Sequence, residues 1–360
     1  MGKRGTRPAD DHLFVAQVIP GLEKVAWEEI QQRLVGASWI AEAMELVLFR
    51  WGGDPSALLE LRTTEDVFAV VDFSRELGTT YRGLRAYVED LRRRRMWDIA
   101  AELHRRSRPG KVKRTTFRVV AQMHGSHGFR RVDARRAVEE VVSARFPQWK
   151  WVPDEAHLEV WLHLQPGFAL TSVRLSDRTM RHRRYKSAHL PASLRPTLAA
   201  AMVFLSQPQP GDRFCDPMCG TGTILIERAM AERYVGLWGG DRDATAVAAA
   251  RANIGPRHQP LALHRWDAGK LPLADASLNR IVTNLPFGKQ IGSVRENQRL
   301  YQLFFRQMTR VLRKGGKAVL LTSQFDLVHR GLAEHSELRR VREVPVRVLG
   351  QPARITVLNR

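Results

Sequence analysis

From Pro196 onward the chain alternates short apolar runs with helical patterns, and this rhythm restricts the fold more than any single residue does. A helix over Pro196 to Leu205, with Leu194, Leu198, Met202 and Leu205 on one face, precedes the strand RFCDP and the helix GTILIERAM. The strand VGLWGGD, the helix ATAVAAARANI and the strands LALHRWD and NRIVTNLPFG follow; then come the helix LYQLFFRQMTRVL and the strand KAVLLTS. Consecutive strands joined by helices imply a doubly wound, largely parallel sheet covered on both faces. The last two strands, VPVRVL and ARITVL, are split only by a GQP-containing turn and predict an antiparallel hairpin at the sheet edge.

The upstream half has a different grammar. A strand over 13–19, a helix from Glu23 to Leu34 and a strand over 42–51 predict a small α+β unit at 10–75. The charged helical stretch YVEDLRRRRMWDIAAELHRR leads into a strand (116–122), a helix (132–146) and two strands, HLEVWLHL and FALTSVRL. These predict a second α+β unit at 76–178. A basic linker, 179–190, ends in prolines, and the alternating domain takes 191–360. The expected architecture is multidomain α/β.

Charge decides between classes of partner. The 360 residues carry a formal net charge of +21, which speaks of polyanionic partners and not of fold. Nucleic acid is the first candidate. No run approaches the roughly 20 apolar residues of a membrane span, and no apolar segment of signal-peptide type follows the basic N-terminus. A cytoplasmic protein without membrane association is expected. Cys215 and Cys219 are the two cysteines; they form no disulfide framework and have no Cys/His cluster beside them, so no metal is expected.

In an open α/β sheet, ligands lie beyond the carboxyl ends of the strands, so those ends are the places to look. The first end is Asp216-Pro217-Met218-Cys219-Gly220-Thr221-Gly222, followed at once by a helix. Its glycines allow close approach to the backbone at a helix N-terminus. The full G-x-G-x-x-G pattern and a Walker lysine are both missing, which excludes those phosphate-binding modes. The second end is Gly239-Gly240-Asp241, about twenty residues on, where a carboxylate can accept ribose hydroxyls. Asp241 could instead cap the following helix, although Asp243 suits that role better. The third end, Trp266-Asp267, offers an acceptor to an adenine amino group or is simply a surface turn. The fourth is Asn284-Leu285-Pro286-Phe287-Gly288. Turn chemistry alone could account for it.

Taken in order and spacing, the four ends resemble the S-adenosylmethionine-dependent class I methyltransferases, over about 185–360. DPMCGTGT stands as the glycine motif, with Met218 where many members have glycine. NLPFG resembles the N/D-P-P-Y/F motif of enzymes that methylate exocyclic amino groups, with Leu285 in place of the first proline as in a guanine-modifying branch. LSDRTMRHRRYK (175–186) and AHLPASLRPTLAAAMVFLS resemble the junction of THUMP-domain tRNA methyltransferases. That resemblance implies a ferredoxin-like N-terminal unit at 10–75, a THUMP unit at 76–178 and a Rossmann-like methyltransferase domain. NLPFGKQIGS resembles the branch that makes N2-methylguanosine at position 6 of the tRNA acceptor stem.

The resemblance implies the following site. Asn284, Leu285, Pro286 and Phe287 would act on the target base. Pro191, Asp216, Cys219, Gly220, Thr221, Gly222, Asp241, Arg242, Asp267, Ala268 and Asn284 would surround S-adenosylmethionine. Arg92, Arg94, Arg181, Arg183, Arg184 and Lys186 are candidate RNA contacts, tRNA being the expected partner of a monomer. The amino nitrogen of guanine is a poor nucleophile because its lone pair is delocalised into the ring. An Asn284 side-chain oxygen and a backbone carbonyl of Leu285 or Pro286, each accepting one N–H, would let that nitrogen pyramidalise without a strong base. Phe287 offers a stacking face worth ~1–3 kcal/mol. Two other readings remain: adenine N6 methylation of RNA or DNA, and an RNA-binding protein that has lost activity.

Overall fold

The computed structural model describes residues 11–43, 45–110, 113–188, 190, 193–287 and 294–360. By internal contacts the chain forms two compact units. The first runs to Gln17 and from Ile30 to Met180, and the second takes Val18–Glu29 with Arg181–Arg360.

In chain order the first part contains β1 (His12–Gln17), α1 (Glu23–Arg33), β2 (Ser38–Ala43), β3 (Leu46–Trp51), β4 (Asp66–Ser74), α2 (Tyr81–Arg93) and α3 (Met96–Ser107). Then come β5 (Thr116–Met123), α4 (Arg131–Arg145), β6 (Lys150–Trp151), β7 (Leu158–Gln165), β8 (Phe168–Arg174) and the short α5 (Arg178–Arg181). Their eight strands make one sheet in the order β2-β3-β1-β4-β8-β7-β5-β6. The run expected as one strand over 42–51 instead turns back on itself between β2 and β3, with Glu45 at φ 64°. β4 is paired antiparallel with β8, from Phe68 opposite Arg174 to Ser74 opposite Ala169, so residues on either side of position 75 share a sheet.

One face of this sheet packs Val15, Leu48, Phe68, Val70, Trp161 and Leu170. Burying side chains of this size contributes ~1.5–3 kcal/mol each. On the same face Arg174 ties strands together through Asp66 and Glu159 (2.5 and 3.0 Å). α2 buries Leu84, Tyr87, Val88 and Leu91, which leaves Arg92 and Arg93 on its solvent side.

The second unit contains α6 (Pro196–Leu205), β9 (Arg213–Asp216), α7 (Thr223–Ala231), β10 (Gly236–Asp241), α8 (Ala244–Ile254), β11 (Leu261–Arg265) and β12 (Leu278–Asn284). It continues through α9 (Val294–Val311), β13 (Leu312–Thr322), α10 (Phe325–Glu334), β14 (Arg339–Val348) and β15 (Gln351–Asn359). The seven strands are ordered β11-β10-β9-β12-β13-β15-β14. The first five are mutually parallel, whereas β15 runs antiparallel to both β13 and β14. The doubly wound sheet with a terminal hairpin is therefore present, with β14 at its edge. The chain reverses its winding direction between β9 and β12, and the carboxyl ends of those strands diverge into a crevice there.

The helices are seated by ordinary local chemistry. Gly222 caps α7 in a left-handed conformation (φ 78°), and Asp243 caps α8 by accepting the Thr245 N–H at 2.8 Å. α9 lays Tyr301, Phe304, Phe305 and Met308 on Ile281, Ala318 and Leu320 of the sheet. α6 is almost wholly buried. Residues Val18–Glu29 join this unit, where Arg342 of β14 forms a two-pronged ion pair with Glu28, both contacts 2.8 Å. Gly21 (φ 94°) lies so close to the Pro345 backbone that a Cβ would fall 1.9 Å from its carbonyl oxygen.

Candidate active site

The carboxyl ends of β9, β10, β11 and β12 open onto a cavity of about 950 Å³, at the upper end of the size range for small-molecule sites. Asp216, Cys219, Gly220, Thr221, Asp241, Arg242, Asp267, Ala268, Asn284, Leu285, Pro286 and Phe287 all line it. Pro191 and Gly288 lie outside the described residues. Gly222 does not face the cavity: its missing side chain makes room for Ile254 and Ala250 of α8, so it serves the turn and the helix packing.

The glycine loop is held by its neighbour strand. The Cys219 N–H donates to the Gly240 carbonyl (2.9 Å), and the Gly220 N–H donates to Asp241 Oδ2 (3.0 Å). Asp241 Oδ1 accepts the Asp243 N–H at 3.0 Å. Each carboxylate oxygen retains a further lone pair, so Asp241 shapes the loop and still has capacity for a ligand hydroxyl. At Gly220 (φ 50°) a Cβ would meet nothing within 4 Å, which leaves the backbone open to the cavity.

Asp216 is 1% exposed. Burial pushes its carboxyl up to about 7 and the Asp241 charge adds to this, while the Thr283 hydroxyl and the Met218 N–H pull the other way. Burial likewise pushes the thiols of Cys215 and Cys219 well up, which makes them poor nucleophiles. Asp267 is exposed and its Oδ1 accepts the Gly269 N–H at 2.7 Å. Trp266 underpins this corner by donating its indole N–H to the Pro217 carbonyl (3.0 Å). Among the described residues, no group of three His, Cys, Asp or Glu side chains is gathered to hold a metal. No helix among them is long and apolar enough to cross a membrane.

At the end of β12 the backbone is clamped from two directions. The Leu285 N–H donates to the Leu321 carbonyl (2.9 Å), which continues the sheet by one residue. The Tyr301 hydroxyl donates to the Pro286 carbonyl (3.0 Å), and the Gln324 side-chain amide to the Phe287 carbonyl (2.8 Å). Asn284 Oδ1 is buried yet has no hydrogen-bond partner among the described residues. Such an acceptor is costly to keep, at ~1–3 kcal/mol. Tyr301 and Gln324 could not be found from motif reading, because they come from elements 15 or more residues away.

The basic residues divide into two groups. Arg184 is exposed. Arg92 and Arg94 are 43% and 49% exposed, beside Glu89 and Asp72 respectively. Arg181 is half-buried. Arg183 is turned inward against the buried Glu227 of α7 (3.6 Å), which also accepts the Tyr185 hydroxyl. Lys186 donates to the Leu194 carbonyl, and burial lowers its pKa. Next to it, Asn253 Oδ1 accepts the N–H groups of Ser187 (3.0 Å) and Ala188 (2.7 Å). Its Nδ2 donates to the carbonyls of Ala188 (3.0 Å) and Thr221 (3.1 Å). The basic linker is thereby tied to the glycine loop.

The strand order and the cavity at its switch point define a class I S-adenosylmethionine-dependent methyltransferase fold. Residues 183–352 match the family model of the RMKL-like methyltransferase domain. A tRNA (guanine(6)-N2)-methyltransferase of Thermus thermophilus is 31% identical over 234 residues, covering 64% of this chain and 68% of that protein. The Bos taurus tRNA (guanine(6)-N(2))-methyltransferase THUMP3 is 35% identical over 260 residues, 68% of this chain. The chain spans about half (51%) of that relative's length. The solved structure of TrmN from Thermus thermophilus superposes with a TM-score of 0.79 at 25% identity, over 97% of this chain and 100% of its own. The chain belongs to this methyltransferase family, whose members include tRNA guanine-N2 enzymes.

Proposed function

We propose that the protein transfers a methyl group from S-adenosylmethionine to the exocyclic N2 of a guanosine in tRNA, at position 6 of the acceptor stem. The observation that carries this reading is Asn284, which lines the cavity beside two tethered backbone carbonyls and whose buried Oδ1 has no hydrogen-bond partner among the described residues. A neutral acceptor there suits an amino group that must keep its lone pair directed outward. The activities for which the Thermus and bovine relatives are named support guanine over adenine.

S-adenosylmethionine, when bound, supplies an electrophilic methyl group on a sulfonium centre. The residues present fit it: Asp216 and the open Gly220 backbone suit its charged methionine end, Asp241 its ribose and Asp267 its adenine. On the other side, Asn284 Oδ1 accepts one N2–H of the guanine and a carbonyl of Leu285 or Pro286 accepts the other. Tyr301 engages one lone pair of the Pro286 oxygen and so fixes its direction. These bonds orient the nitrogen and stabilise the positive charge that builds on it as it is methylated, after which the surplus N2 proton leaves for solvent. Phe287 stacks on the ring.

A guanosine in a stem must leave its stack, at a cost of roughly a few kcal/mol. We propose that this cost is offset by phosphate contacts of a ferredoxin-like unit (10–75) and a THUMP unit (76–178), Arg92 and Arg94 among them, together with Arg184 of the linker. Arg183 and Lys186 serve instead to hold the linker in place. The test is incubation with labelled S-adenosylmethionine and unmodified tRNA transcripts, followed by nucleoside analysis and nuclease mapping. Label in N2-methylguanosine, lost in Asn284→Ala, is the expected result. Label in N6-methyladenosine would overturn the choice of base. Cofactor binding without label in any RNA would overturn the enzyme reading.

A further inference from the structure

The hairpin at the edge of the second sheet has an unusual turn. β14 ends at Val348, β15 begins at Gln351, and those two residues are paired, so Leu349 and Gly350 alone make the connection. Both have positive φ, 49° and 79°, the backbone pattern of a type I′ turn. Its first position favours Asn, Asp or Gly, because a left-handed backbone brings a side chain close to its own carbonyl. Leucine there is strained. Nor is the strain offset by packing, since Leu349 is 70% exposed.

An exposed apolar side chain on a strained backbone points to a role outside folding, and the location narrows it. Arg347, Val348 and Leu349 line the same cavity as Asn284 and Phe287. Arg347 is exposed, as is Arg299 of α9 on the same lining. The lining therefore presents an exposed apolar side chain together with four exposed arginines, Arg195, Arg242, Arg299 and Arg347, in a chain of net charge +21.

We propose that Leu349 is an apolar wedge that enters the RNA base stack and fills the space left by the extruded guanosine, while Arg347 and Arg299 hold the flanking phosphates. The inference rests on the RNA methyltransferase reading above and adds how that site obtains its base from a paired stem. Insertion of a branched apolar side chain between base steps is a general way to hold an unstacked helix open. The two-residue turn is closed by the Val348–Gln351 pair, so the wedge is carried directly by the hairpin.

The decisive variant is Leu349→Asn, which places a preferred residue in the turn and removes the wedge. Once the modified position is mapped, two transcripts are compared, one with the target guanosine paired and one with it mismatched. The variant should unfold at or above the wild-type temperature. On the paired RNA its kcat/KM should fall on the order of tenfold to a hundredfold, a size set by the cost of unstacking one base step. Most of that loss should be recovered on the mismatched RNA, where extrusion costs less. Leu349→Met, which keeps an apolar group, should remain close to wild type on both. Equal activity of Leu349→Asn and wild type on the paired RNA would overturn the wedge, as would an equal loss on both RNAs. If wild type forms no N2-methylguanosine on either RNA, the function reading itself fails.

Discussion

Replacing Asp216 by asparagine should make the free protein more stable at neutral pH and less able to bind cofactor. The carboxyl is displaced from 3.8 to about 7, chiefly by burial. At ~1.4 kcal/mol per tenfold in the ionisation equilibrium, this holds roughly 4 kcal/mol against the charged form. The sign follows from linkage. Below pH 3.8 the group is protonated whether the chain is folded or not, and it costs nothing. As pH rises from there to about 7, the unfolded chain ionises while the folded one keeps its proton, so stability falls across that window and levels off above it. Asparagine never ionises and retains an oxygen for the Met218 N–H. Thermal midpoints of wild type and Asp216→Asn, measured from about pH 5 to about pH 8, should therefore diverge with rising pH and run parallel above 7. Calorimetric titration with S-adenosylhomocysteine should show the converse. Wild-type affinity should weaken up to tenfold per pH unit below about 7, because a proton must leave before the ligand's ammonium group is welcomed. The variant's affinity should be low and flat. A stability difference that does not vary with pH would refute the reasoning.

Tyr301→Phe removes the hydroxyl that fixes the Pro286 carbonyl; kcat should fall with little change in cofactor affinity, and stability by about 1–2 kcal/mol, read by denaturant titration. Asn253→Ala frees the Ser187–Ala188 backbone from the Thr221 carbonyl; S-adenosylhomocysteine affinity should drop about tenfold, equivalent to the roughly 1.4 kcal/mol expected of the lost hydrogen bonds, with circular dichroism unchanged. Gly21→Ala cannot keep its approach to Pro345; it should lower the unfolding temperature of the wall that Ile19 contributes to the cavity, seen as faster amide exchange in Val344 and Val346.

The second half of the fold was legible because its signals are local. Each strand is a short apolar run, each helix a stretch of helical periodicity or continuous apolar character, and Asp216, Asp241 and Asn284 stand where the strand runs stop. What was hidden depends on partners remote in sequence. The pairing of β4 with β8 joins residues about a hundred apart, and no periodicity records that choice. The turn between β2 and β3 carries a glutamate at positive φ, without the glycine that would have announced it. Arg183 and Lys186 read as surface charge because their acceptors, Glu227 and the Leu194 carbonyl, come from elements further along the chain. That Asn284 Oδ1 is buried without a hydrogen-bond partner among the described residues follows only from how the chain packs around it.

The membership of Val18–Glu29 in the second unit bears on how the chain is made. Ile19 is synthesised long before the strands beside which it finally sits, since β14 and β15 emerge last. The cavity wall is thus assembled from segments far apart in the chain, and the unit cannot finish folding until β14 and β15 have left the ribosome. Cleavage before Arg181 would yield a fragment lacking the partners of Arg342 and Pro345. The seven-stranded sheet is, in this sense, not a portable module, and recombining it with another domain would require carrying Val18–Glu29 along.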